Sequence, residues 1–464
     1  MLHRYGLIPN ILILGMAAGC SLGSEGDFAG GAPDGEAPGS TPGESPGEGQ
    51  DPVPGQLTAA EWDDNEYFDF YLEALPELRG QSDLPAFDPS DRIVITVTTP
   101  AGAPLSGVRV QVFGDDALAL DAPTASDGCL LFFPGHDGAG AAESLSVRVE
   151  LPDGSVRDFT PPDADTRDWR IEIDAPAAPP PALDLTFVVD TTGSMGDELE
   201  YIKAEVGDIA ARIRTDRPEV SMRFALILYR DMDDEYETRR FDFVDDLAGF
   251  RSDLNTQRAE GGGDYPEAMD QAMTDMLELS WRPGNVARVA FLIADAPPHT
   301  DKAQRVLDQA DAGRRKGIKI YPVAASGVST EAEYVMRIAA QLSLARYLFV
   351  TDDSGIGNPH EEPHIPCYQV QYLNDLMVHV LCSELEGTRL PVAPESVLRT
   401  VGTYENGRCV IGSPAPDVDA GAFDAGMDLD GGAAASPGIG FYAAGATSSP
   451  ARARAISARV SGMP

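Results

Sequence analysis

Three short polar runs in this 464-residue chain carry the residue types that could do chemistry. The first is Asp190-Thr191-Thr192-Gly193-Ser194, the second Gly261-Gly262-Gly263-Asp264-Tyr265-Pro266-Glu267, and the third Asp295-Ala296-Pro297-Pro298-His299. Together they offer the hydroxyls of Thr192 and Ser194 and the carboxylates of Asp190, Asp264 and Asp295. All are hard oxygen donors, which select Mg²⁺, Mn²⁺ or Ca²⁺ over zinc or copper. The alternate spacing of Asp190, Thr192 and Ser194 lets three side chains converge within one turn, and Gly193 permits the tight backbone. The competing use of the same residues is to cap helices and turns without any metal.

The elements around these runs must bring them together. Buried-type strands read LDLTFVVD, MRFALILY, VARVAFLIAD, IKIYPVAAS and RYLFV, and they alternate with amphipathic helices. In the first helix Leu199, Ile202, Val206, Ile209 and Ile213 form one apolar stripe, as core packing requires. Continuously apolar strands imply a sheet covered on both faces. The fold class is α/β, a Rossmann-like, doubly wound, mostly parallel sheet over residues 183–385, whose ligands bind beyond the carboxyl ends of the strands. Two of the three runs directly follow such a strand. Thr330 and Glu333 have capping-box spacing ahead of Val335, Ile338 and Leu342, and a last helix carries Val370, Leu373, Met377, Val380 and Leu381.

Upstream the period changes to two. IVITV, VRVQVF, CLLFF, LSVRVEL and WRIEI, separated by turn signals, predict a small all-β sandwich of about seven strands over residues 91–174. A Pro/Ala linker follows at 175–182. Residues 57–90 predict a short amphipathic helix packed on a neighbouring domain. Residues 20–56 and the tail from 413 have the Gly, Pro, Ala and Ser content of segments that form no core, and 386–412 is a C-terminal extension.

With DTTGS and the two later runs in this order, residues 183–385 resemble a von Willebrand factor type A domain with a metal-ion-dependent adhesion site. GGGDYPE and DAPPH are similar to the subgroup found in bacterial surface proteins, hemicentins and some atypical kinases. The resemblance implies that Thr192 and Ser194 bind the metal directly, Asp190 directly or through water, and Asp295 from behind these ligands. It also implies that a protein partner's Asp or Glu completes the coordination. The family's second loop gives a threonine hydroxyl where counting back from Met269 and Met273 places Asp264. That exchange makes the site more anionic, which favours metal retention and weakens the demand for an acidic partner. GAPLSGVRVQVF and TASDGCLLFFP are similar to carboxypeptidase regulatory-like modules, whose role is spacing or folding support.

Two other runs imitate metal sites. His360-Glu361-Glu362-Pro363-His364 matches HExxH literally, but Pro359, Pro363 and Pro366 oppose the helix a zinc protease needs. A hydrogen-bonded, proline-stiffened loop is the favoured reading, and a non-catalytic metal site from His360, His364 and Cys367 is its alternative. Asp424, Asp428, Asp430 and Gly431 lack the spacing and closing Glu of a calcium loop. Asp231, Asp233, Asp234 and Glu235 read as a solvated loop that could make a weak calcium contact. Without a nucleophile-and-base set or a phosphate loop, binding without catalysis is the expectation. A structural scaffold with metal-independent contacts is its alternative, and hydrolysis through the His360 loop is the outsider.

The chain carries 34 basic against 75 acidic residues, a formal charge of −41. That balance opposes binding to nucleic acid or to anionic lipid through a basic patch. Residues 1–19 combine Arg4, an apolar run at Ile11–Leu14 and small residues before Cys20, a signal-peptide pattern too short to span a bilayer. The small residues before Cys20 resemble a lipoprotein signal, although Ala17 stands where Leu is preferred. The resemblance implies acylation of Cys20, membrane attachment by an N-terminal lipid anchor and, with Ser21 next, the bacterial outer membrane. Of the remaining cysteines, Cys382 and Cys409 are the expected disulfide, with Cys129 a buried thiol; four cysteines allow three connectivities.

Overall fold

The computed structural model describes residues 52–80, 82–163, 165–263, 265–356 and 363–411. The export-signal segment, Cys20, Asp264, His360, Glu361, Glu362 and the tail with its Asp424 cluster lie outside the described residues. In chain order the first elements are β1 (Thr58–Trp62) and α1 (Phe68–Arg79). Seven strands follow: β2 (Ile93–Thr98), β3 (Arg109–Gly114), β4 (Ala117–Pro123), β5 (Cys129–Phe132), β6 (Leu145–Glu150), β7 (Val156–Phe159) and β8 (Asp168–Glu172). Next come β9 (Ala182–Asp190), α2 (Leu199–Asp216), β10 (Ser221–Tyr229), β11 (Thr238–Val244), α3 (Leu247–Asn255), α4 (Met269–Leu277) and β12 (Ala287–Ala294). The chain continues through α5 (Ala303–Arg315), β13 (Ile318–Ala324), α6 (Thr330–Leu342), β14 (Tyr347–Thr351), β15 (Tyr368–Tyr372) and α7 (Leu373–Glu386). Short strands β16 (Arg399–Val401), β17 (Tyr404–Glu405) and β18 (Arg408–Cys409) close the described chain.

The large sheet has the order β11-β10-β9-β12-β13-β14-β1-β15-β16. Strands β10, β9, β12, β13 and β14 are parallel, which makes this the mixed, mostly parallel α/β sheet that the apolar runs predict. The central β9 is buried along its whole length. Its Leu185, Phe187 and Val189 pack under α2, α3 and α7, whereas Val188 faces the layer of α1, α4, α5 and α6. A strand covered on both sides has no polar alternation, hence its continuous hydrophobicity.

The N-terminal segment departs from the helical expectation. Thr58–Trp62 is a strand, inserted antiparallel between β14 and β15, and only Phe68–Arg79 is helix. Ala59 contributes to one core layer and Ala60 to the other, so small residues fit a strand clasped on both faces. The Glu205 carboxylate fixes the entry to this strand by accepting the N–H groups of Gly55, Gln56 and Leu57. The β-sandwich is therefore inserted between β1-α1 and the rest of the α/β unit.

In the sandwich, sheets β5-β2-β8 and β4-β3-β6-β7 enclose Ile95, Val97, Val110, Val112, Leu120, Val147 and Val149. It is clamped to the α/β unit by buried charge. Asp137 accepts from Arg314 at 2.6 Å and from Arg315, and both arginines also hold Asp311. His136, Asp137 and Asp311 converge as a metal triad would. The two guanidinium groups already neutralise these carboxylates, so the cluster is an ion-pair clamp.

Two local expectations are corrected. The N-cap of α6 is Ser329, whose side chain accepts from the N–H of Ala332, one residue before the capping-box position at Thr330. Glu333 is engaged elsewhere, with Arg337 and His364. The disulfide joins Cys367 to Cys409 with a Cα–Cα distance of 5.8 Å, and Cys382 is not the partner of Cys409. Cys382 is a buried residue of α7 that faces the core, whereas β15–β16 pairing and the β17–β18 hairpin bring residue 409 back beside residue 367. The bridge closes a loop of 42 residues, so Cys409→Ser should cost about 4 kcal/mol of unfolding free energy in the chain-entropy account. Urea melts of the variant and of the oxidised wild type measure this difference. Cys129 is half-buried, and burial pushes its thiol up to about 12.

Candidate metal centre

Asp190 closes β9, and its carboxylate turns back on the following loop. Its Oδ1 accepts the Thr192 N–H at 2.9 Å and the Thr192 hydroxyl at 2.7 Å; Thr192 Oγ1 lies 3.2 Å from Ser194 Oγ. The DxTxS spacing thus does bring its three side chains into one cluster. The Gly193 N–H donates to the Gly261 carbonyl at 3.0 Å, which joins the first loop to the glycine loop. Asp295 follows β12, the parallel neighbour of β9, so its carboxylate reaches the same rim. Asp264 lies outside the described residues.

The glycine loop supplies a residue that the sequence reading passed over. Glu267 is 3 % exposed and is tied to the third loop, its N–H donating to the Pro297 carbonyl at 3.0 Å. Gly262, at φ +71°, leaves the space this requires: a Cβ there would lie 3.1 Å from Glu267 Oε1 and 3.2 Å from Thr192 Cβ. The sequence signal was the glutamate three residues after Asp264. Its role was hidden because chain spacing does not say whether an acid in a bent loop turns inward.

A further loop braces the rim. Asp234 Oδ2 accepts the N–H groups of Gly262 at 2.9 Å and Asp231 at 3.1 Å, while Asp231 Oδ1 meets His299 Nε2 at 2.6 Å. The acidic run 231–235 is therefore partly structural, with Asp231 buried. The Tyr265 hydroxyl sits 3.0 Å from the carbonyls of both Asp295 and Gly327.

Three carboxylate oxygens here are buried without any hydrogen-bond partner: Asp190 Oδ2, Asp295 Oδ1 and Glu267 Oε2. An unpaired buried acceptor costs on the order of 1–3 kcal/mol, more when charged, so the cluster calls for a proton or a cation. Burial and then the charge of Asp295 push Asp190 up to about 7. Burial raises Asp295 as well, offset in part by the Ser194 hydroxyl. Burial, followed by Asp190, Asp231, Asp295 and Asp234, pushes Glu267 up to about 9. Oxygen donors of this kind, two of them hydroxyls, fit Mg²⁺, Mn²⁺ or Ca²⁺.

The His360 loop offers no comparable site among the described residues. Cys367 is consumed in the disulfide, which removes the thiolate of the expected metal site. His364 lies outside any helix and pairs through Nδ1 with Glu333 at 2.9 Å, and its carbonyl accepts from Arg337.

Residues 184–355 match the profile of the von Willebrand factor A domain, and the chain thus contains such a domain. It is 31% identical over 153 residues to the alpha-protein kinase vwkA of Dictyostelium discoideum, a match covering 33% of this chain and 24% of that protein. It is also 38% identical over 120 residues to the ariadne-like RING finger protein R811 of Acanthamoeba polyphaga mimivirus, covering 25% and 11% respectively. The chain spans a quarter or less of these relatives' length. Among solved structures, the conserved hypothetical protein BatB of Bacteroides thetaiotaomicron aligns over 44% of this chain and 96% of its own, with 11% identity and a TM-score of 0.31.

Proposed function

We propose that this protein is a bacterial outer-membrane lipoprotein, anchored through Cys20, whose von Willebrand factor A domain binds a protein partner in a divalent-cation-dependent manner and performs no catalysis. The observation that carries the metal reading is the set of three unpartnered carboxylate oxygens beside the Thr192 and Ser194 hydroxyls. Asp190, Thr192 and Ser194 would hold the ion, with Asp295 and Asp264 close by. The ion would supply a fixed positive charge and open coordination positions at the rim. Lipid anchoring draws its support from the sequence before Cys20 alone.

Titration calorimetry with Mg²⁺, Mn²⁺ and Ca²⁺ tests the site. Asp190→Ala should weaken binding beyond the roughly 10–100-fold that losing an outer-sphere partner costs. Equal heats from wild type and variant would end the metal reading. The buried Asp137–Arg314–Arg315 clamp favours a second reading, in which the sandwich and the α/β unit form a scaffold with metal-independent contacts. That reading predicts a partner pull-down that survives EDTA and Asp264→Ala.

A further inference from the structure

The charge count of the rim limits what a metal there can recognise. Asp190, Asp295 and Glu267 each keep a buried carboxylate oxygen without a hydrogen-bond partner, and Glu267 Oε1 faces the same space over Gly262 as Thr192 Cβ. When ionised they carry three negative charges against the two of a divalent ion. Asp234 stands immediately behind the glycine loop, where it accepts the Gly262 N–H, and Asp231 beside it meets the His299 ring. Glu267 is not a surface acid that happens to lie close. Its N–H is fixed to Pro297, it packs beside Thr192 over Gly262, and its carbonyl accepts the N–H of Met269, the buried first residue of α4.

We propose that Glu267 provides from within the chain the carboxylate that neutralises the bound divalent ion, so that the loaded site recognises neutral or basic groups of a protein partner and excludes a partner's carboxylate. The inference rests on the metal reading above and departs from the acid-mediated contact that the family resemblance implies. An incoming Asp or Glu would lose its hydration to sit beside a centre where the three described carboxylates alone, when ionised, outweigh the ion by one charge, and Coulomb repulsion in a low-dielectric rim opposes that. A backbone carbonyl, a hydroxyl or a water can fill an open position without this penalty, and a lysine or arginine next to the ion is drawn by the surplus charge. Exposed Tyr265, on the glycine loop itself, and exposed Met232, on the 231–235 loop that braces it, add apolar contact area for such a segment.

The test uses the full chain loaded with Mn²⁺, acetate as the carboxylate probe, and water-proton relaxivity as the readout of water on the metal. In the wild type, acetate should leave the relaxivity unchanged. Glu267→Gln, which keeps the shape and removes one charge, should weaken Mn²⁺ binding by about tenfold or more and let acetate displace water with a clear fall in relaxivity. Glu267→Asp keeps the charge and should still exclude acetate. Circular dichroism in EDTA confirms that both variants fold, and a glutamine in place of a repelled buried carboxylate should not unfold the domain. Displacement of water by acetate in the wild type, or unchanged Mn²⁺ affinity in Glu267→Gln, overturns the proposal while leaving the metal site standing. Absence of Mn²⁺ binding to the wild type and to all variants overturns both.

Discussion

Divalent-metal affinity is expected to climb with pH in two slopes, about 100-fold per pH unit below pH 7 and about tenfold per unit between pH 7 and 9. In the metal-free protein the Asp190 carboxyl is pushed up to about 7 and the Glu267 carboxyl up to about 9, in both cases first by burial and then by neighbouring carboxylates. A cation neutralised by both, as proposed, requires them as anions, so binding below pH 7 expels at least these two protons and above it that of Glu267. The same shifts set the stability of the metal-free fold. A carboxyl whose folded pKa is raised contributes stability that is complete below its unfolded value of about 4 and is lost as pH rises through the folded value. Without metal the melting temperature should therefore fall across about pH 5 to 9. Saturating Mg²⁺ should restore it, and the increment should grow with pH, because the cation replaces the protons. Calorimetry in buffers of different ionisation heat counts the protons directly. An affinity independent of pH over this range would refute the assignment of Asp190 and Glu267 to a common cation.

The second large effect concerns the fold that holds the rim in place. Arg337 in α6 is fully buried and donates to Asp64 Oδ1 at 2.6 Å and Oδ2 at 2.9 Å, while also holding Glu333 at 3.1 Å. Asp64 lies just after β1, so this bidentate pair fastens the N-terminal segment to the α/β unit. Arg337→Met should cost about 3–5 kcal/mol, because it leaves the buried Asp64 carboxylate without its cation and Glu333 with His364 alone. The double variant Arg337→Met with Asp64→Asn should recover part of that loss by removing the stranded charge. Denaturant melts provide the comparison, and a loss below about 1 kcal/mol for the single variant would show that water or another group satisfies Asp64. The same geometry predicts that a chain starting after α1 loses both the strand between β14 and β15 and the countercharge of Arg337.

Much of this architecture was legible because the strongest sequence signals come from burial on both faces of a strand. The run LDLTFVVD could only be an interior strand, and its terminal Asp190 could only emerge at the carboxyl edge, so the first site loop was placed by local pattern alone. The alternate spacing of Asp190, Thr192 and Ser194 likewise survives folding, because a tight turn converts spacing of two into convergence. Thr58–Trp62 was not legible. Five residues reading TAAEW have no strand periodicity of their own, and their pairing with β14 depends on residues almost three hundred positions away. The cysteines failed for the same reason, since Cys367 meets Cys409 only after β15 and β16 pair.

The sequence by itself determined the α/β class, the sandwich-type strands ahead of it, the three loops and the hard-oxygen character of their donors. These follow from hydrophobic period and from residue chemistry, both properties of short stretches. Tertiary structure alone decided that Glu267 turns inward, that Asp231 and Asp234 brace the glycine loop, and that the His136, Asp137 and Asp311 triad is filled by arginines. Each is a matter of which charges share a buried volume, and in a low dielectric that neighbourhood, more than residue type, decides whether a carboxylate holds a proton, a guanidinium or a metal ion.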